Sequence, residues 1–201
     1  SNNDFSAVFV DEIYSTPALA SASSIRDSAM AENIKMIMDE KLGEDGMGFF
    51  WAHNMHVSRV NHLEGGLTGF GPAAWTTAGN ILSLWLGDAY FPIATLPGKG
   101  TFRAMVVGDN GEMTGAFEVV AAPAQPDDSL NTIASQISPA KPVFLNMREL
   151  SFMGFTRPEF TVGAVYFKTQ PGKNVVTTVP GSGYGAVISF PYSVAVEPWN
   201  P

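Results

Sequence analysis

The sequence predicts a mixed α/β domain, and three observations carry that expectation. First, Ser24 to Leu42 repeats apolar residues at helical spacing and leads, across the polar turn Gly43 to Gly46, into the apolar run Met47 to Ala52. A helix, a short turn and an apolar run of strand length make an αβ unit. Second, another helical stretch, Thr77 to Leu86, is followed by a strand-like stretch from Ala89 to Leu96. Third, the rest of the chain is mostly short β runs joined by Gly- and Pro-rich links. This order suits a mixed sheet rather than a regular doubly wound one.

Taken in order, Asn3 to Ala20 mixes short apolar pieces with acids and Pro17, and reads as a short helix or strand. Ser24 followed by Asp27 resembles a capping box with a shortened acid, and Ile25, Ala29, Met30, Ile34, Ile37 and Met38 form one helical stripe that Gly43 stops. Met47 to Ala52 does not alternate with polar residues, so the expected strand is covered on both faces. Ser58 to Ala78 is rich in Gly, Asn and Thr, and a loop of that length inside a domain is usually functional or mobile. Pro92 makes the strand around it an edge or an irregular one. Gly98-Lys99-Gly100 reads as a turn, and Thr101 to Val107 with Ala116 to Ala121 as a hairpin linked through Gly108-Asp109-Asn110-Gly111. Ser129 to Ile137 reads as a helix with Asp127 or Asp128 near its positive end. Val143 to Met147, Val162 to Phe167 and Ala186 to Phe190 supply three further strands.

Composition bounds the function. With 201 residues, 45% of them hydrophobic and 15% charged, the chain can bury a sizeable core as one domain or as a large part of one. A net charge of -8 with only eleven basic residues argues against nucleic acid and against an anionic membrane as partners. No apolar run approaches the about 18 residues a membrane span needs. The absence of cysteine excludes disulfides, thiolate metal sites and a cysteine nucleophile, and leaves the compartment open between cytoplasm and export.

The chain has three histidines, His53, His56 and His62, so imidazole chemistry belongs to one stretch. His53-Asn54-Met55-His56 follows directly on the Met47 to Ala52 run, and in open α/β sheets ligands gather beyond the carboxyl ends of strands. Residues i and i+3 of an unbroken strand point to opposite faces, so both rings converge only if the strand ends near Asn54. The bland reading of such a histidine is a capping or hydrogen-bonding group. A metal reading of His53, His56 and His62 with Glu64 fits no well-defined zinc spacing, and no metal or other cofactor is expected. Gly181-Ser182-Gly183 lacks the nucleophile-elbow pattern, and Gly98-Lys99-Gly100-Thr101 lacks the spaced glycine of a phosphate loop. Met30, Met36 and Met38 read as core filler, and Trp51, Trp75, Trp85 and Trp199 as packing residues, with contact to an apolar ligand the alternative for Trp75 in the glycine-rich loop.

Arg26-Asp27-Ser28-Ala29-Met30-Ala31-Glu32-Asn33, followed by Trp51-Ala52-His53-Asn54-Met55-His56-Val57, resembles the erythromycin esterase family. Gly87-Asp88-Ala89-Tyr90, Gly100-Thr101-Phe102-Arg103-Ala104, Val162-Gly163-Ala164-Val165-Tyr166, Gly185-Ala186-Val187-Ile188 and Val196-Glu197-Pro198 match that family's C-terminal half in the same order. The resemblance implies a three-layer fold, a mixed sheet with helices on both faces. It also implies that residues 1–201 form the C-terminal half of a larger domain, unless they stand as a single domain. The N-terminal half of family members carries a Gly-Glu-x-Thr-His-Gly-like segment that this chain lacks. Its glutamate and histidine are catalytic in the family, so the implied partner is that missing half or a second copy in a homo-oligomer. Two departures stand out: Asn146 where the family often has aspartate, and Tyr184-Gly185 where an aspartate usually precedes the strand.

The activity implied by the resemblance is water-mediated opening of an ester or macrolide lactone, a small-molecule substrate. His53 matches a member of the family's active-site cluster and would polarise or protonate an oxygen, with His56 or Asn54 positioning the water. Glu32 is the carboxylate expected to orient His53, and Arg26 is expected to bind a substrate oxygen; for both, a helix-face ion pair is the bland alternative. The competing function is a catalytically inactive ligand-binding or polysaccharide-biosynthesis module on the same fold, favoured by the two lost carboxylates.

Overall fold

The computed structural model describes residues 17–43, 46–60, 75–108, 111–150, 154–163 and 165–197. The fold is mixed α/β. Its spine is β1 (Ile93–Val107), long enough to serve three partners in turn. Residues 93–100 of β1 run parallel to β7 (Ala186–Ser193), and β7 in turn pairs antiparallel with β3 (Val143–Asn146). Beyond Gly100, β1 pairs antiparallel with β2 (Met113–Ala121), with Thr101 opposite Ala121, and parallel with β5 (Val165–Phe167). The expected hairpin is therefore present. The expected turn at Gly98-Lys99-Gly100 is not, because the chain stays extended while its partner changes. Gly100 is needed there: at φ +117, any Cβ would collide with the Ser193 carbonyl oxygen. A separate antiparallel pair joins β4 (Arg157–Phe160) to β6 (Val175–Thr178), neither of which the sequence periodicity announced.

Helix α1 (Pro17–Lys41) begins earlier than the capping motif suggested, with proline in the first turn, where its missing N–H is no loss. Ser24 and Asp27 do cap a helix, but a different one. Ser24 Oγ accepts from Thr76 N at 3.1 Å and Asp27 Oδ2 from Ala78 N at 3.0 Å, at the start of α3 (Ala78–Leu86). Thr77 completes that start by accepting from Asn80 N at 3.0 Å. Gly79 lets α3 come against the end of α2 (Asn54–Val57), since a Cβ there would overlap the Val57 carbonyl. Ala31 of α1 packs with Ala78 and Leu82 of α3. Helix α4 (Leu130–Ile137), capped by Ser129, sets Leu130 and Ala134 on the sheet core of Ala94, Leu96, Leu145 and Val187. A single turn, α5 (Pro180–Gly183), leads into β7.

The run Met47 to Ala52 belongs to no helix and no sheet, which corrects the expected central strand. A strand exists through its ladder, and no described strand pairs with this run. Phe50 turns inward against the α1–α3 cluster, while Met47, Phe49 and Trp51 are 92%, 83% and 77% exposed. The strand expected from Ala89 instead opens with a 3₁₀ turn over Gly87–Ala89 and starts only after Pro92. Most of the glycine-rich loop, including His62 and Glu64, and the opening stretch before Pro17 lie outside the described residues.

Three buried asparagines join these pieces in one manner. Asn54 accepts from Thr95 N at 2.9 Å and donates to Thr95 O at 2.9 Å. Asn131 accepts from Phe160 N at 2.8 Å and donates to Phe160 O at 3.3 Å and Pro97 O at 3.0 Å. Asn174 accepts from Phe167 N at 3.0 Å and donates to Phe167 O at 2.9 Å. Each side-chain amide takes the place of a neighbouring strand's peptide, satisfying backbone groups that would otherwise be orphaned.

Candidate active site

The two histidines converge because His53 is extended and a helix begins directly after it. His53 is the N-cap of α2, its Nδ1 accepting from Met55 N at 3.3 Å. His56 is the third helical residue, so one turn of helix brings the ring centroids to 6.4 Å. With Nδ1 accepting, the proton of a neutral His53 ring sits on Nε2, which lies 2.9 Å from the Thr161 hydroxyl. His53 thus performs the capping role of the bland reading and also keeps an N–H directed toward Thr161.

His56 has the more directed surroundings. Its Nδ1 lies 2.9 Å from Asp27 Oδ2, and Asp27 is fully buried. A carboxylate can only accept, so the proton of the neutral ring sits on Nδ1 and Nε2 carries the lone pair. Arg26 Nη2 stands 3.4 Å from that Nε2. The edge of Trp75 closes another side, its ring centroid 5.3 Å from that of His56. The second carboxylate oxygen of Asp27 and the indole N–H of Trp75 are both buried with no hydrogen-bond partner among the described residues.

Of the residues singled out in the sequence, His53, His56 and Arg26 meet here. Glu32 does not: it lies exposed one turn further along α1, with no described contact to either ring. The orienting carboxylate is Asp27, and the ring it orients is His56 rather than His53. Asp27 stands in the Arg26-Asp27 motif, where its spacing from Ser24 gives it the pattern of a capping acid. Asn54 stands beneath the site, its amide engaged by Thr95 and by Glu159, whose Oε1 accepts from Nδ2 at 3.2 Å. Glu159 is itself fully buried, with Tyr184 Oη donating to its other oxygen at 3.5 Å. Burial pushes its carboxyl up from an ordinary 4.5 to about 7, while the bonds from Asn54 and Tyr184 pull the other way. Burial and the neighbouring carboxyl push the Tyr184 phenol well above its usual range. Nothing in the sequence pattern marked Glu159 or Thr161. Val57 and Arg59 fix the exit of α2: Tyr90 Oη donates to Val57 O at 2.7 Å, and Arg59 Nη2 donates to Tyr90 O at 2.7 Å. Among the described residues no group of three or more metal-ligating acids and histidines comes together, and no helix is long and apolar enough to cross a membrane.

Fold and site together define a mixed α/β protein with an imidazole pair at a helix start, one ring backed by a buried carboxylate and faced by a guanidinium. The family model described as Erythromycin esterase matches residues 6–193, and the chain belongs to the erythromycin esterase family. Three solved structures share the fold. A protein from Bacillus cereus superposes with a TM-score of 0.65 at 21% identity, over 88% of this chain and 39% of that one. A succinoglycan biosynthesis protein gives 0.67 at 18% identity, over 89% and 40%. An erythromycin esterase mutant in its open conformation gives 0.56 at 20% identity, over 84% and 37%. The chain therefore spans about two fifths of the length of each. No curated protein sequence matches it.

Proposed function

We propose that this chain carries the histidine-bearing wall of a hydrolase that opens an ester or macrolide lactone with water. The observation that carries the reading is the line Asp27–His56–Arg26, at 2.9 and 3.4 Å. A buried carboxylate on Nδ1 orients the ring and leaves the lone pair on Nε2, which takes the proton of the attacking water once Arg26 Nη2, 3.4 Å away, turns to the substrate oxygen. The Arg26 guanidinium beside Nε2 supplies fixed positive charge for the oxyanion that develops when water adds to the carbonyl. His53, whose Nε2–H meets the Thr161 hydroxyl at 2.9 Å, supplies the leaving oxygen with a proton through that hydroxyl, and Trp75 offers an apolar wall to a macrocycle. This chemistry requires no metal and no cofactor. Because the chain spans about two fifths of its structural neighbours, the remaining catalytic groups are assigned to polypeptide outside it, a glutamate and a second base among them.

The test, on this chain together with the polypeptide that supplies those groups, is hydrolysis of p-nitrophenyl esters and of a macrolide, the latter followed by mass spectrometry as the gain of one water. His56→Ala should lower the rate by about 10²- to 10⁴-fold, the usual contribution of a positioned acid–base group. An unchanged rate in that variant ends the reading.

A second reading, a binding module that turns nothing over, is favoured by the lost carboxylates. Asn146 pairs with Glu149 at 2.7 Å, and Gly185 abuts the Phe91 ring so closely that a Cβ would come within 2.6 Å of it. An aspartate there would require the Phe91 ring to move aside. Thermal stabilisation by a macrolide or an acidic oligosaccharide without any product would select this reading over hydrolysis.

A further inference from the structure

We infer that Glu159 is a positioning residue for the imidazole pair: through Asn54 it fixes the first turn of α2, so that the geometry of His53 and His56 follows the protonation state of a carboxyl buried behind them. The inference rests on the proposed role of the two histidines and deepens it.

Asn54 is the first residue of α2, between the N-cap His53 and the third residue His56. All its amide valences are engaged. Oδ1 accepts from Thr95 N, one Nδ2 hydrogen goes to Thr95 O, and the other goes to Glu159 Oε1. The helix start is thus anchored to β1 on one side and to a β4 carboxyl on the other. α2 is a single turn and has little cooperativity of its own, so its orientation follows these anchors.

Asn54 and Tyr184 are the polar groups that meet the carboxyl, and Tyr90 lies behind Tyr184. From β1 the neighbour is Thr95, engaged with Asn54, and from β6 Val176 stands directly opposite, with Thr178 one pleat on. Arg157 shares the Glu159 face of β4, two residues away, but no ion pair joins the two among the described residues. On α2 itself the rings of His53 and His56 bond elsewhere, to Thr161 and to Asp27. Among the described residues no cation therefore compensates the carboxylate, and its burial places its titration near pH 7. When the group ionises, its bond from Asn54 Nδ2 becomes charge-assisted and shortens, which draws the start of α2 toward β4. When it is protonated, that pull relaxes.

The experiment follows the side chains of the ¹⁵N-labelled chain by NMR from pH 5 to 9. Three histidines give few imidazole signals, assigned through His53→Gln and His62→Gln. The Asn54 side-chain amide should move with an inflection near pH 7, and the His56 and His53 nitrogens should show that same inflection. Glu159→Gln keeps the shape and the acceptor for Asn54 but cannot ionise, and it should abolish the shared inflection. Tyr184→Phe removes one bond that favours the carboxylate, and should move the inflection to higher pH if the glutamine variant does not fold. Imidazole titrations that are identical in the wild type, Glu159→Gln and Tyr184→Phe would overturn the inference, even if the Asn54 amide responds. The hydrolase reading fails separately, through an unchanged ester hydrolysis rate in His56→Ala, with these spectra untouched.

Discussion

Replacing Glu159 by glutamine should flatten part of the pH dependence of folding stability. In the unfolded chain the carboxyl ionises at its ordinary 4.5, whereas in the folded protein burial holds it protonated up to about 7. Between those values the folded state keeps a proton that the unfolded state has released, so stability is full below about 4.5 and falls as the pH rises through the window. Above about 7 both states are ionised and the loss is complete. The rise from 4.5 to about 7 corresponds to about 3 kcal/mol. Urea unfolding from pH 4.5 to 8, followed by tryptophan fluorescence, measures it. The wild type should lose about 3 kcal/mol more than Glu159→Gln across that range, the subtraction removing the groups common to both. Parallel stability curves for the two proteins would show that ionising Glu159 inside the fold is no harder than in water, and the reasoning from burial would be wrong.

Other outcomes follow from the same contacts. Asp27→Ala removes the acceptor of both His56 Nδ1 and Ala78 N and should cost about 1–3 kcal/mol in urea unfolding. Gly79→Ala pushes a methyl into the Val57 carbonyl and should destabilise by about 1–3 kcal/mol, read as a lower Tm. Asn131→Ala strands the N–H and C=O of Phe160 and should cost about 2 kcal/mol or more in the same measurement. Phe49→Ser with Trp51→Ser, at exposed positions, should change stability by less than about 0.5 kcal/mol. The same pair should lower self-association in sedimentation at high concentration.

What the sequence made legible was what depends on local signals. The hairpin of β1 and β2, the helices after Thr77 and Ser129, and the strands at Val143, Val165 and Ala186 all declare themselves through spacing and capping residues. What it concealed depends on partners distant in the chain. The apolar run Met47 to Ala52 has strand composition, yet composition cannot supply a ladder. Gly100 was legible as a glycine, but its reason is the carbonyl of Ser193 on another strand. At the site the histidines and Arg26 could be named from the motif alone. The site role of Asp27 was hidden because a buried acid and a capping acid look identical in a sequence, and here one side chain does both. Glu159 was hidden because an isolated glutamate beside Pro158 has the pattern of a surface loop.

The exchanged cap between α1 and α3 also orders events during folding. The acceptor for Ala78 N lies 51 residues earlier in the chain, and that for Thr76 N lies 52 earlier. Helix α3 is too short to persist unaided, so it gains its starting hydrogen bonds only after the loop between has closed, and closure has its own entropic cost. The same Asp27 oxygen holds His56. Docking of α3 and assembly of the imidazole site are thus one cooperative event, and a chain that has not finished folding has no site to expose.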